Sequence, residues 1–257
     1  MCEECGCGSV IIHNDHKHSY TDAQHHEHSN AHECHHNQSL PLTNKVMVEK
    51  AVLDKNDRFA AINRQIFSDK KIYAINLISS PGSGKTTIVE ALARHFGEKM
   101  VVIVGDIQTR RDADRARAAG CRSAQIETLG ACHLDAHSIL HTLESFDLNG
   151  VRLLIIENVG NLVCPSSYDL GENEVVAVLS APEGDDKVLK YPTVFHRAST
   201  LILNKMDLSA FVNFDKEKVI SECRSLNKNI GVFETAAING QGMDLFIDYL
   251  SKRCGIT

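Results

Sequence analysis

Residues 79–86 read Ser-Ser-Pro-Gly-Ser-Gly-Lys-Thr, and what flanks them narrows the kind of fold they can belong to. The run Tyr73–Ile78 before them is apolar and β-branched, as a buried strand is, and the stretch from about Lys85 to Phe96 has helical spacing. Strand, glycine turn, helix is the setting of a Walker A phosphate loop, here with Ser79 where the pattern has its first glycine. Gly82 and Gly84 let the backbone turn its N–H groups inward, and the helix start adds partial positive charge. Pro81, Gly82, Ser83, Gly84, Lys85, Thr86 and Thr87 are therefore candidates to hold a nucleotide. Lys85 would reach the β- and γ-phosphates, and the Thr86 hydroxyl would ligate Mg²⁺. The plain alternative is a glycine-rich turn before a helix, which Gly-Lys-Thr in this context disfavours.

The pattern then repeats. Met100–Val104, Leu153–Ile156, Val175–Leu179 and Leu201–Leu203 are short apolar runs separated by helical stretches. This is the signature of an α/β fold with a doubly wound, mostly parallel sheet whose strands are buried on both faces. Upstream, Asn44 is placed to cap a helix over Lys45–Ile66. The first forty residues differ: they hold nine of the fourteen histidines and four of the nine cysteines, with Tyr20 the only aromatic. They have too little apolar surface to offset chain entropy. The expected organisation is a Cys/His-rich tail over 1–40, disordered or ordered by metal, and a nucleotide-binding domain over 41–257.

Asn204-Lys205-Met206-Asp207 follows the run Leu201–Leu203. An ionised Asp only accepts hydrogen bonds. Guanine offers adjacent donors at N1 and N2, whereas adenine would set a lone pair against the carboxylate. Asp207 is therefore the expected base reader, with Asn204 bracing the loop and Lys205 lying along the base. Ala236, in the turn Thr235-Ala236-Ala237, is a candidate to give a backbone N–H to the guanine oxygen. Gly105-Asp106 and Glu157-Asn158-Val159-Gly160 each close a strand, so both carboxylates emerge where ligands bind in such sheets. Asp106 and Glu157 are candidates to hold Mg²⁺ or its waters, and Gly160 to meet the γ-phosphate. A helix-capping role is the alternative for each carboxylate. No Gln sits beside Gly160 to orient water, which predicts slow hydrolysis, with Asp106 or Asp112 as a water-positioner.

Three constellations suit a borderline metal such as Ni²⁺ or Zn²⁺. Cys2, Cys5 and Cys7 put three thiols within six residues, for which redox chemistry is the rival reading. Nine histidines and Cys34 between residues 13 and 36 suggest metal buffering. Cys132, His133 and Cys164 form the third, tied to the γ-phosphate sensor because Cys164 lies four residues beyond Gly160. His137 and His141 would join His133 in one stripe if that segment is helical, although a surface role fits them better. Cys121, Cys223 and Cys254 read as packing residues.

A net charge of −6 gives no field that would draw the chain to nucleic acid, and no apolar run reaches the ~20 residues of a membrane span. The acidic start, Met1-Cys2-Glu3-Glu4-Cys5, is unlike a signal peptide, which together with the thiols leads us to expect a reducing cytoplasm.

Taken together, Cys-x-x-Cys-Gly-Cys, the His tract, the phosphate loop, Gly105-Asp106, Gly-Ala-Cys-His-Leu-Asp-Ala at 130–136, Glu-Asn-Val-Gly-Asn-Leu-Val-Cys-Pro at 157–165, Glu-Gly-Asp-Asp-Lys at 183–187 and Asn-Lys-Met-Asp resemble the HypB family. These are the nickel-insertion GTPases of NiFe-hydrogenase maturation. The resemblance spans essentially the whole chain. It implies a G protein of the signal-recognition/MinD class that binds GTP and GDP and forms a homodimer when GTP-bound. It also implies nickel delivery to the hydrogenase large subunit alongside a HypA-type metallochaperone. It places metal-ligand roles on Cys132, His133 and Cys164, and on Cys2, Cys5 and Cys7, for nickel or zinc. The rival readings are a urease-type nickel GTPase, a metal-storage protein with a weakly active G domain, and an ATP-dependent kinase.

Overall fold

A computed structural model describes residues 42–106, 111–128 and 130–256; of residues 42–46, 48, 49, 106 and 111 it describes the backbone only. Cys2, Cys5, Cys7, Cys34 and the His tract lie outside the described residues.

In chain order, α1 (Leu42–Lys70) leads to β1 (Tyr73–Ser79), α2 (Lys85–Phe96), β2 (Met100–Asp106) and α3 (Arg111–Ala118). β3 (Arg122–Glu127), α4 (Ala136–Leu143), β4 (Leu153–Glu157) and β5 (Glu174–Ser180) follow. The short α5 (Lys187–Lys190) and α6 (Pro192–Arg197) precede β6 (Thr200–Asn204), α7 (Lys216–Leu226), β7 (Gly231–Glu234) and α8 (Met243–Arg253). The strands form one sheet in the order β3-β2-β4-β1-β5-β6-β7, and each pairing in it is parallel.

Alternation along the strands builds one core on one face of the sheet and two on the other. Ile75, Leu77, Val102, Val104, Leu153, Ile155, Val176 and Val178 face α2, α3 and α8, where Ile88, Leu92, Ala116, Phe246 and Leu250 meet them. Toward the other face, Ala74, Val101, Ile103, Leu154 and Ile156 pack with Phe67, Ile139 and Leu143 of α1 and α4. Ile78, Ala177, Leu179, Leu201 and Leu203 join Val188, Phe195, Val219 and Cys223. Central strands buried on both sides favour apolar residues at most positions, which is why they stood out in the sequence.

Two edge strands did not. β3 carries only Ala124 and Ile126 as apolar residues and is half-buried; β7 has four residues. Helix α1 also departs from expectation, since it starts at Leu42 and places Asn44 inside the helix. It runs on to Lys70 because Lys71, in the left-handed region at φ 56°, closes it, with the Ile72 N–H donating to the Phe67 carbonyl at 2.8 Å. Its later half is fixed by two buried amides. Asn63 Nδ2 donates to the carbonyls of Ala136 (2.9 Å) and Leu170 (3.0 Å). Asn56 accepts from the Ala136 N–H (2.9 Å) and donates to the Asp169 carbonyl (2.7 Å). Gly171, at φ 88°, lets the chain pass this helix, for a Cβ there would lie 2.6 Å from the Ala60 carbonyl oxygen. Among the described residues, no helix is long and apolar enough to cross a membrane.

Candidate functional site

The phosphate loop leaves the centre of the sheet at Ser79 and enters α2 through Gly84, whose φ of 98° only glycine takes readily. Gly82 turns at φ 75°. Lys85 is buried and donates to Ser79 Oγ at 2.7 Å, and burial pushes its pKa down. A lysine held this way is poised to gain from an anion. The Thr86 hydroxyl donates to Glu157 Oε1 at 2.7 Å.

Glu157 ends β4, one strand over, in register with Leu77 of β1 and Val104 of β2. It is 3% exposed, its Oε2 is buried without a hydrogen-bond partner, and burial pushes its carboxyl up to about 7, against the pull of the Thr86 hydroxyl and Lys85. A hydroxyl and a carboxylate side by side, with one oxygen unsatisfied, are the hard donors that Mg²⁺ takes, so these residues fit that ion. β2 brings the backbone of Asp106 to the same edge, and its side chain is not among those described. Gly160 approaches the phosphate loop so closely that a Cβ would lie 3.1 Å from Pro81 Cα.

These parts line a cleft of about 510 Å³ that includes Pro81, Gly82, Gly84–Thr87, Glu157–Gly160 and Lys205. Asp112 and Arg115 of α3 also line it. Arg115 was not foreseen. It donates to Glu90 Oε1 at 2.7 Å and so presents its guanidinium beside the phosphate loop. Nothing in the local pattern of α3 distinguishes it from its other arginines.

Asn204 and Lys205 clasp the loop from β6. Asn204 Nδ2 donates to the Ser83 carbonyl (2.9 Å), and its Oδ1 accepts from the Thr235 hydroxyl and the Ala237 N–H, both at 3.1 Å. Lys205, at φ 57°, donates to the Gly82 carbonyl at 2.7 Å. Gly84 is required here too, since a Cβ would come within 2.4 Å of Asn204 Nδ2. Asp207 stands exposed on the 3₁₀ turn Met206–Phe211. The N–H groups of Thr235, Ala236 and Ala237 have internal acceptors in Leu203, Gln241 and Asn204. A guanine contact from Ala236 therefore requires it to leave Gln241.

Cys132, His133 and Cys164 come together, one ligand atom from each lying within 4.8 Å of the others. Cys132 Sγ and His133 Nδ1 are 3.6 Å apart, close to the separation of roughly 3.6 Å that tetrahedral zinc bond lengths imply for a sulfur and a nitrogen ligand. Two thiols and an imidazole suit nickel or zinc. Burial lowers the His133 pKa, and its ring stacks on Tyr168, centroids 3.8 Å apart. His133 precedes α4, so it shares no helical stripe with His137 and His141, both exposed. Asp135 starts α4 by accepting from the Ser138 N–H at 2.8 Å. Cys121, Cys223 and Cys254 are buried in the cores, their thiols raised by burial.

The profile described as "CobW/HypB/UreG, nucleotide-binding domain" matches residues 73–234. The hydrogenase maturation factor HypB of Azotobacter chroococcum mcd 1 is 44% identical over 224 residues, which is 86% of this chain and 73% of that protein. Its counterpart in Escherichia coli (strain K12) is 47% identical over 210 residues, 80% of this chain and 72% of that one. The crystal structure of HypB from Helicobacter pylori in complex with nickel superposes with a TM-score of 0.74 at 42% identity, covering 78% of this chain and 95% of that one. A matching domain profile, relatives aligned over most of both chains and a shared fold lead to one assignment: this chain belongs to the HypB family of hydrogenase maturation factors.

Proposed function

We propose that the chain is a Mg²⁺-dependent GTPase that takes nickel as cargo and releases it according to the bound nucleotide during NiFe-hydrogenase maturation. The observation that carries this reading is the meeting of Cys132, His133 and Cys164 beside the segment 157–160 that lines the nucleotide cleft. The nickel complex of the H. pylori relative supports the choice of cargo. Zinc fits the same donors.

In this reading Lys85 and the backbone N–H groups of the phosphate loop hold the triphosphate. Gly160 gives its N–H to the γ-phosphate, and Asp207 reads guanine. Thr86, Glu157 and Asp106 would hold Mg²⁺, which would supply charge neutralisation to the phosphates. Asp112 positions the attacking water. The GTP-bound form pairs as a homodimer with facing Cys132-His133 pairs. A HypA-type metallochaperone and the hydrogenase large subunit are the partners. Cys2, Cys5, Cys7 and the His tract serve as a further metal reservoir, in a tail preceding the 41–257 domain.

The test is phosphate release from GTP by the full chain, joined to nickel titration with GDP and with a non-hydrolysable GTP analogue. Lys85→Ala should slow hydrolysis by ~100-fold or more. Asp207→Asn should cost more than about tenfold in preference for GTP over ATP. Cys164→Ser should weaken nickel binding and remove its dependence on nucleotide. GTP turnover unchanged by Lys85→Ala would sink the reading.

A further inference from the structure

Two hydrogen-bond paths run from the nucleotide cleft to the segments that carry the thiol cluster. Both begin at Asn158, 1% exposed, between Glu157 and Gly160. Its backbone N–H donates to the Leu77 carbonyl at 3.1 Å, on the strand that ends in the phosphate loop. Its Oδ1 accepts from the N–H groups of Val159 (3.0 Å) and Leu134 (3.3 Å), and its Nδ2 donates to Asn76 Oδ1 (3.1 Å).

The first path is short. Leu134 adjoins His133, and Asn161 Nδ2 donates to the Cys132 carbonyl at 3.4 Å. Leu134 is buried against Gly105 at the end of β2, where a Cβ would lie 2.8 Å from it. The second path crosses the sheet. Asn76 Nδ2 donates to Glu172 Oε1 at 3.3 Å, and the same oxygen accepts from Arg197 Nη2 at 3.0 Å. Arg197 Nη1 then donates to the carbonyls of Ser166 and Tyr168, both at 2.9 Å. Those carbonyls belong to the segment that starts at Cys164 and ends at Tyr168, the residue stacked on His133.

We propose that Asn158 is the positioning residue that transmits nucleotide state to the Cys132/His133/Cys164 cluster, with Arg197 anchoring the longer path. The proposal rests on the functional reading above. One amide supplies an acceptor to the Cys132-His133 arm and a donor toward the Cys164 arm, a combination that an ionised Asp lacks. When segment 157–160 shifts on the γ-phosphate, both arms must follow or leave buried polar groups unpaired. The first arm ends on the backbone beside Cys132 and His133 and the second on the segment that follows Cys164, so their movement changes the ligand spacing and hence the affinity for the ion.

Adjacency alone does not establish coupling, so the test reads a coupling ratio. Nickel affinity is measured on the full chain with Cys2, Cys5 and Cys7 replaced by Ser, once with GDP and once with a non-hydrolysable GTP analogue. The parent should show a ratio of about fivefold or more between the two. Arg197→Lys keeps a charge near Glu172 but loses the fork that joins Glu172, through Nη2, to the two carbonyls, through Nη1. It should bring the ratio below ~2-fold while leaving metal-free GTP turnover unchanged. Asn158→Ala should do the same to the ratio, and Arg197→Lys carries the test if that variant does not fold. A merely structural role would lower nickel affinity equally with both nucleotides, and a ratio preserved in both variants overturns the proposal. If the parent itself shows no ratio, the functional reading falls and the proposal falls with it.

Discussion

At Glu157, burial sets the response of the carboxyl to pH. The carboxyl is pushed up from 4.5 to about 7 by burial, so the folded state holds its proton more tightly than the unfolded chain does. The resulting stability is complete below the unfolded value and is lost as pH rises through about 7. In metal- and nucleotide-free protein, urea unfolding at pH 5 should exceed that at pH 8 by about 2–3 kcal/mol from this group. Glu157→Gln should flatten that part of the difference. An unchanged slope in the variant would assign the pH dependence to another residue. The places of Lys85 and Asn204 at the phosphate loop were legible because both are tied to fixed spacing after a strand. Arg115, Tyr168 and Arg197 were not, because each acts on a group far from it in sequence that only folding brings near. Asn76 did leave a trace, as the one amide inside the apolar run Tyr73–Ile78.

Among elements, α1 does the most that its own sequence does not reveal. Asn63 holds the carbonyls of Ala136 and Leu170 at once, and so ties the segment after His133 to the one after Tyr168. Asn63→Ala should lower stability by about 2 kcal/mol or more, because both buried carbonyls lose their donor. The drop should appear as a lower urea midpoint with an unchanged slope. The central strands were readable because burial on both faces favours long apolar runs. β3 and β7, at the two edges, have no such demand and leave too little pattern to find. The end of α1 was misjudged for a related reason. Its last turn is polar, and closure depends on Lys71 adopting a left-handed conformation that lysine seldom signals.

For the whole molecule, the phosphate loop joins parts that are otherwise separate. It leaves β1, is clasped by Asn204 and Lys205 after β6, and meets Glu157 and Gly160 after β4. A nucleotide seated there should stabilise the domain as one unit. GDP at a hundred times its Kd should add ~2.7 kcal/mol, a rise in Tm of about 5–10 °C. Gly84→Ala should abolish that rise, since its Cβ collides with the Asn204 amide and its φ of 98° strains alanine. A normal nucleotide-induced shift in this variant would show that the loop tolerates rearrangement. Asn76 has one further consequence, for how the sheet assembles. Its amide is paired only while β1 holds its present register between β4 and β5. A slip of one residue would turn that amide into the apolar core beside Val102 and Ile155, at a cost of about 1–3 kcal/mol, and would bring Leu77 to face Glu172. The same side chain that relays toward the thiols therefore marks the central strand with a single permitted alignment, so that wrong pairings are rejected during folding.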